Sequence, residues 1–283
     1  MPEFLKFTSK GESFVFYDSG TEERFFISST ISNLKLLEKA HLFCDGTFDI
    51  APKLFGQVYT IQALIEGRCV PLVYGLLPRK TEAMYTEFLT QVKSKLSHDP
   101  LSITSDYEKA FLNAANSVFR ETKLYGCYFH LKQSFWKKII DLGLKSSSTE
   151  DENIRRLLKL PQAIAFIPSN DVVEVFSQIK SSITDTRVIE FYNYIEDNYI
   201  GKFVQCKVGR GRGVKTISSY SRPLFDVNLW NVNERTSECL PRTNNFVESW
   251  HNAFSSMLDK HPLVYSLIDY FLKEQKRVEH QLV

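Results

Sequence analysis

The stretch HLFCDGTF at residues 41–48 opens the most strand-like part of the chain and determines the fold that we predict. Two further apolar stretches, residues 57–66 and 70–77, follow it and are rich in β-branched and aromatic side chains. Short breaks with glycine, proline or acidic residues separate the three stretches. Segments of this kind predict three strands in an antiparallel meander.

The hydrophobic period changes after the third strand. Apolar side chains then recur at helical spacing, as in Tyr85, Phe88, Leu89 and Val92, with Thr81 placed to cap the helix. Further alternation predicts strands and helices in turn, and the predicted segments are strand 101–104, helix 107–119, strand 124–129 and helix 131–142. The order β-β-β-α-β-α-β-α predicts an α/β fold, a mixed sheet flanked by helices.

The remaining regions follow from composition. Ser146-Ser147-Ser148 resembles a linker, and only helical stripes follow it as far as residue 200. The predicted division is a lead-in at 1–40, the first part of the core at 41–142, a helical insertion at 143–200, a basic loop region at 201–240 and C-terminal helices at 241–283 that complete the core.

Composition restricts the class of protein. The chain has 283 residues and a net charge of +2, so it is not a polycation that coats nucleic acid along its whole length. Its five cysteines are odd in number and widely spread, which is unlike a secreted disulfide framework. The N-terminus lacks the pattern of a signal peptide, and the densest apolar run is too short for a bilayer. We therefore expect a soluble intracellular protein without a membrane partner.

Three acidic residues have both a functional and a structural interpretation. Asp45 interrupts an apolar strand, although Asp45-Gly46 is also typical of a turn. Asp106 follows a strand, where ligands bind in α/β sheets, although residues 105–108 also match a capping box. Glu248 lies early in an amphipathic helix, where a solvated or capping residue partnered with Asn245 is the usual reading.

Two further groups carry polar chemistry. Cys127 and His130 form a Cys-x-x-His pair, which is half of a structural zinc site, so zinc is not expected. Residues 201–222 contain six cations and no acid, and GRGRG at 209–213 predicts a loop. This basic stretch is either a solvated loop or a contact for phosphates. Its cations are Lys202, Lys207, Arg210, Arg212, Lys215 and Arg222.

The ordered set of motifs resembles the catalytic domain of Mutator-like (MULE) transposases. The motifs that carry the resemblance, in order, are DGTF at 45–48 with Pro52 and QVYTI at 57–61, VPLVYGLL at 70–77 with Lys80 and Tyr85, SDYEKAF at 105–111, GCYFHLKQ at 126–133, LWNV at 229–232, and RTNN at 242–245 followed by Glu248, Trp250 and His251. Each motif is short, but together they run in the family's order from about residue 41 to 258.

The resemblance implies an RNase H-like fold with an all-α insertion before the last catalytic helix. It also implies a DDE triad of Asp45, Asp106 and Glu248 that binds two Mg²⁺ or Mn²⁺ ions and catalyses DNA cleavage and strand transfer. The implied partners are transposon ends, target DNA and further copies of the chain, and the implied location is the nucleus. Residues of the family signature near the site would be Cys127, His130, Asn244, Asn245 and His251.

One departure from the family leaves alternatives open. Such transposases usually carry an N-terminal zinc-binding domain that recognises DNA, and residues 1–40 contain no cysteine. The chain is therefore interpreted as a transposase catalytic domain or as a domesticated, non-catalytic factor that binds DNA or protein. A cellular nuclease that acts on RNA is a third hypothesis, which the Cys-x-x-His and RTNN motifs disfavour.

Overall fold

A computed structural model describes residues 2–208 and 215–282 of the chain. It divides into two compact units, of which the first comprises Met1–Tyr125 with Thr243–Val283 and the second Gly126–Arg242. The strands are β1 (Val15–Asp18), β2 (Phe26–Ser28), β3 (His41–Thr47), β4 (Gln57–Ile65), β5 (Arg68–Leu77), β6 (Ser102–Ser105), β7 (Lys123–Gly126), β8 (Lys202–Val208) and β9 (Lys215–Ser221). The helices are α1 (Ile31–Lys35), α2 (Glu82–Lys93), α3 (Lys109–Val118), α4 (Tyr128–Asp141), α5 (Lys145–Glu150), α6 (Glu152–Ile164), α7 (Val172–Ser181), α8 (Thr186–Ile195), α9 (Val227–Trp230), α10 (Asn233–Ser237), α11 (Asn245–Ser255) and α12 (Val264–Gln281).

A seven-stranded sheet with the order β1-β2-β5-β4-β3-β6-β7 forms the centre of the fold. β3, β4 and β5 pair antiparallel as neighbours, which confirms the predicted meander. β6 instead pairs with β3 in parallel, with Phe43 opposite Thr104. Parallel neighbours require a crossover connection, and α2 lies in the chain segment between β5 and β6. The predicted mixed α/β sheet flanked by helices is therefore confirmed.

Apolar side chains from α2 and α3 pack with one set of strand residues. Tyr59 lies with its ring centroid 6.0 Å from that of Phe88 and 5.0 Å from that of Phe111. Gly75 permits the close approach of α2, because a Cβ atom there would lie 2.8 Å from the Phe88 ring. The predicted cap is also present, since Thr81 Oγ1 accepts a hydrogen bond from the Met84 backbone N–H.

A second apolar cluster joins α11 and α12 to strands of the sheet. Trp250 stacks on Phe254 at 4.7 Å between ring centroids, and Phe271 stacks on Tyr74 at 4.5 Å. The indole N–H of Trp250 donates a hydrogen bond to Glu274 at 2.7 Å. These contacts fix the position of α11, and therefore of the acidic residue in its first turn.

The second unit contains α4 to α10 and the antiparallel pair β8–β9. Its core includes Phe135, whose ring meets that of Tyr199 at 5.3 Å between centroids. The buried indole of Trp230 donates a hydrogen bond to the Tyr199 carbonyl oxygen at 2.9 Å. The helices predicted between the supposed linker at 146–148 and residue 200 are present as α6 to α8.

Three predicted features differ from the structure. Residues 1–40 are more than a lead-in, because β1 and β2 extend the sheet beside β5. Residues 146–148 lie in α5 and are not a linker. Much of the predicted basic loop region at 201–240 forms the antiparallel strand pair β8–β9, followed by α9 and α10. The predicted loop at 209–213 lies outside the described residues.

Within residues 2–208 and 215–282, no helix is both long enough and apolar enough to cross a bilayer.

Candidate functional site

Asp45 lies within β3, so the interpretation of Asp45-Gly46 as a turn is wrong. Its carboxylate is mostly buried, with 16% of the side chain exposed. One carboxylate oxygen accepts a hydrogen bond from the Gly46 backbone N–H at 2.8 Å. The other lies 3.4 Å from the amide nitrogen of Asn244, which donates to it. Two donors, the Gly46 backbone N–H and the Asn244 amide, therefore hold the Asp45 carboxylate in position.

Asp106 is the first residue after β6. Because β6 runs parallel to β3 with Phe43 opposite Thr104, the same register continued by two residues brings Asp106 beside Asp45. One Asp106 carboxylate oxygen accepts a hydrogen bond from the Glu108 N–H at 3.3 Å. The predicted capping box is not formed, because α3 is capped at Glu108 and that residue makes no side-chain capping bond.

Glu248 lies in the first turn of α11, as the amphipathic pattern predicts. The capping interpretation is not supported, because the N-cap residue is Asn244 and it makes no side-chain capping bond. Asn244 is fully buried, whereas Asn245 is exposed. The helix therefore directs the Asn244 amide to Asp45, and it carries Glu248 one turn further along.

The three acids interact electrostatically. The pKa of Asp45 is raised to about 7, first by burial and then by the negative charges of Asp106 and Glu248. Hydrogen bonding from the Gly46 N–H and the positive charge of Lys80 act in the opposite direction. The structure therefore places the charges of two acids from other elements close enough to Asp45 to increase its affinity for a proton.

His251 adds a buried imidazole beside the same carboxylate. Its Nδ1 lies 3.9 Å from the Asp45 carboxylate, which is too long for a hydrogen bond, and its Nε2 lies 3.0 Å from Thr60 Oγ1. Burial lowers the pKa of His251 to about 4, so the ring is neutral at neutral pH. The contact with Asp45 is therefore not an ion pair under those conditions.

Lys80 is a cation at this site that was not among the predicted site residues. Its ammonium nitrogen lies 3.8 Å from the centroid of the Phe48 ring and 3.7 Å from a Glu108 carboxylate oxygen. Its charge lowers the pKa of Asp45, so it acts on the acidic cluster directly. Thr60 was missed as well, although the pairing of β3 with β4 sets it opposite Asp45. A register count from the meander would have identified Thr60, whereas the position of Lys80 depends on tertiary packing.

Cys127 and His130 lie in the second unit. Cys127 is buried and precedes α4, and His130 is in the first turn of that helix. Among the residues that the structure describes, no group of three or more histidine, cysteine or acidic side chains has the arrangement needed to hold a metal ion. This statement covers the triad of acids as well as the Cys-x-x-His pair.

The basic stretch is less uniform than its composition indicates. Lys202 forms an ion pair with Asp197, an acid that lies just outside the stretch. Arg222 is exposed, while Arg210 and Arg212 lie outside the described residues. Lys207 and Lys215 belong to paired strands, and phosphate contact by these residues stays a prediction.

The comparison with known families gives one match. Residues 41–134, one third of the chain, match the family model described as the MULE transposase domain. The match includes Asp45, Asp106, Cys127 and His130, and it ends before Glu248. No curated protein matches the chain. The matched segment thus supports a relationship to Mutator-like transposases and a transposase-related function.

Proposed function

We propose that the chain is the catalytic domain of a DDE-type DNA transposase with an RNase H-like fold. Asp45, Asp106 and Glu248 would be its catalytic carboxylates, and DNA ends and target DNA its substrates. The proposal includes a nuclear location and assembly with further copies of the chain on DNA. Its support is the match of residues 41–134 to a transposase domain together with a sheet of three antiparallel strands followed by a parallel one.

The observation that carries the proposal is the influence of two acids from other elements on Asp45. Asp45 and Glu248 are 203 positions apart, yet the charges of Glu248 and Asp106 raise the pKa of Asp45. Buried like charges are costly, and proteins retain them mainly where a cation or a proton is bound. Asp45 is mostly buried in β3, Asp106 directly follows the parallel neighbour β6, and Glu248 acts on Asp45 from α11. This group of acids is therefore a strong candidate for an active site.

The chemistry of the donors fits Mg²⁺ or Mn²⁺. Both ions prefer carboxylate oxygens and keep several water ligands, so few protein ligands are needed. Asp45, Asp106 and Glu248 would hold the ions, although the described residues do not have the geometry of a formed metal site. When bound, two such ions activate the attacking oxygen and stabilise the leaving oxygen of a phosphodiester.

The chain's own residues would prepare the site for that reaction. Asn244 and the Gly46 N–H hold the two oxygens of Asp45 in one orientation. His251 stays neutral because it is buried, so it adds no positive charge that would compete with a bound cation. Lys80, held against Phe48 and Glu108, supplies a fixed positive charge at the site that would attract a phosphate group.

Cleavage of supercoiled plasmid DNA tests the proposal. The wild-type protein should nick the plasmid with Mg²⁺ or Mn²⁺ and not with EDTA. Because a metal-binding carboxylate cannot be replaced by a neutral amide, Asp45→Asn, Asp106→Asn and Glu248→Gln should each reduce the rate at least about 100-fold.

The control is Asp49→Asn, since Asp49 is an exposed acid near the end of the same strand and its variant should retain full activity. Unchanged cleavage by Asp45→Asn would refute the assignment of the triad. A protein that binds DNA but neither cleaves it nor binds divalent ions would instead be the domesticated, non-catalytic factor. Faster cleavage of an RNA–DNA hybrid than of duplex DNA would indicate a cellular nuclease.

A further inference from the structure

α4 presents an exposed face that combines large apolar side chains with lysines. Phe129, Trp136 and Ile140 are 41%, 45% and 46% exposed, although residues of these types are usually buried. Their spacing of seven and eleven residues from Phe129 places them in one line along the helix. The outer face of α4, as defined here, comprises Phe129, Lys132, Gln133, Trp136, Lys137 and Ile140, all of which are exposed.

The opposite side of α4 accounts for the stability of the helix without this face. Leu131, Phe135 and Ile139 are buried, and the Phe135 ring packs against Tyr199 and Phe191 within the second unit. The buried side chains are sufficient to pack α4 in its unit, so the exposed Phe129 and Trp136 are not needed for that packing.

The charges on the outer face indicate which kind of ligand it fits. At 100° per residue, Lys132 and Lys137 lie on either side of the line formed by Phe129, Trp136 and Ile140. No acid lies on this face, and Asp141 is the last residue of the helix. An apolar strip flanked by two cations complements a ligand that has flat apolar rings and an anionic backbone.

We propose that the outer face of α4 binds unpaired nucleotides of DNA. Trp136 and Phe129 would stack on bases, which in duplex DNA are not accessible, and Lys132 and Lys137 would lie beside the phosphates. Stacking on aromatic side chains together with cations along the backbone is how proteins bind single strands without sequence preference. Neither the carboxylates nor a metal ion takes part in this binding, so it is independent of the proposed cleavage.

Tryptophan fluorescence gives a direct measurement on the full chain. Of the three tryptophans, Trp230 and Trp250 are 2% and 9% exposed, so Trp136 is the one that a ligand in solvent can reach. Titration of the metal-free protein with an oligothymidine of about 20 nucleotides in EDTA should quench the emission. The quenching should be lost in Trp136→Phe, where only the signal of the buried tryptophans remains.

Variants distinguish stacking from general charge attraction. Trp136→Ala should weaken oligothymidine binding, measured by fluorescence anisotropy of a labelled strand, roughly 5- to 140-fold, which corresponds to one lost stacked base. Lys137→Glu should weaken it and reduce its dependence on salt. The matched controls are Tyr265→Ala, at an exposed aromatic residue of α12, and Lys95→Glu, at an exposed lysine after α2, which should bind as the wild type does.

Two results would overturn the proposal. One is equal affinity of Trp136→Ala, Lys137→Glu and wild type for the oligothymidine. The other is sedimentation showing that Trp136→Ala dissociates an oligomer of the chain while strand affinity stays unchanged, because the outer face of α4 would then be a protein interface. Neither result would bear on the proposed metal-dependent cleavage, because the cleavage test depends on the acids and not on the outer face of α4.

Discussion

At the scale of single residues, Asp45 combines burial with two acidic neighbours, and both raise its proton affinity. A carboxyl group whose pKa rises on folding stabilises the protein fully only below its unfolded pKa. For Asp45 this stabilisation is lost as pH rises from about 4 to about 7. The acidic site should therefore destabilise the metal-free protein at neutral and alkaline pH.

Replacing Asp45 tests this energetic cost. In EDTA at pH 8, Asp45→Asn should increase the free energy of unfolding, by up to about 4 kcal/mol for a pKa shift from 3.8 to about 7. At pH 4 the gain should disappear, because the wild-type residue is then protonated. Urea denaturation at both pH values measures it. The exposed Asp49→Asn control should show no such dependence, and destabilisation by Asp45→Asn at pH 8 would contradict the account.

His251 makes the opposite contribution. Its pKa is lowered from 6.5 to about 4 by burial, so the stabilisation is complete above 6.5 and is lost as pH falls towards 4. Between pH 7 and pH 4, the free energy of unfolding of His251→Gln should fall by up to about 3 kcal/mol less than that of the wild type. Urea denaturation at a series of pH values measures this difference. The exposed His280→Gln variant should keep the wild-type slope. Parallel profiles for His251→Gln and wild type would show that His251 is not buried as a neutral ring.

At the scale of elements, close packing of α2 on the sheet depends on Gly75. Gly75→Ala would place a Cβ atom 2.8 Å from the ring of Phe88, so the helix or the ring must move. We expect a destabilisation of about 1–3 kcal/mol in urea denaturation. Phe88→Leu should relieve the clash, so the double variant should lose less stability than the sum of the single variants. Strict additivity would contradict the packing described here.

Elements with a strong local pattern could be predicted from the sequence. The meander at 41–77 and the amphipathic α11 and α12 were predicted because their apolar spacing is regular over many residues. β1 and β2 were missed because they have four and three residues, and only pairing beside β5 makes them strands. β8 and β9 were missed because the density of cations hid their alternation.

The site was only partly predictable for a related reason. Asp45, Asp106 and Glu248 were identified from motifs, and their role as a catalytic triad stays a prediction. The structure shows that the charges of Asp106 and Glu248 raise the pKa of Asp45. The hydrogen bond from Asn244 to Asp45 joins residues 199 positions apart, and no local pattern contains that information. Local sequence also allowed a turn at Asp45 and a capping box at 105–108. Strand pairing places Asp45 in β3, and the start of α3 after Glu108 excludes the capping box.

At the scale of the whole molecule, the net charge of +2 is an average over unlike regions. The described part of the first unit contains a group of acids around the mostly buried Asp45, while the second unit carries exposed lysines on α4 and exposed Arg222. Lys202 is already paired with Asp197 and adds little to attraction of an external phosphate. The near-neutral net charge of the chain therefore does not exclude a nucleic-acid ligand, because such a ligand would contact locally basic surfaces.

The central claim is that Asp45, Asp106 and Glu248 form one site for divalent ions. Isothermal titration of the wild-type protein with Mn²⁺ at pH 8, where Asp45 is ionised, should give saturable binding that weakens at pH 6 because protons compete. Asp106→Asn and Glu248→Gln should each weaken the binding at least tenfold, and Asp49→Asn should not. Absence of saturable binding to the wild type, or unchanged affinity in both triad variants, would contradict the claim.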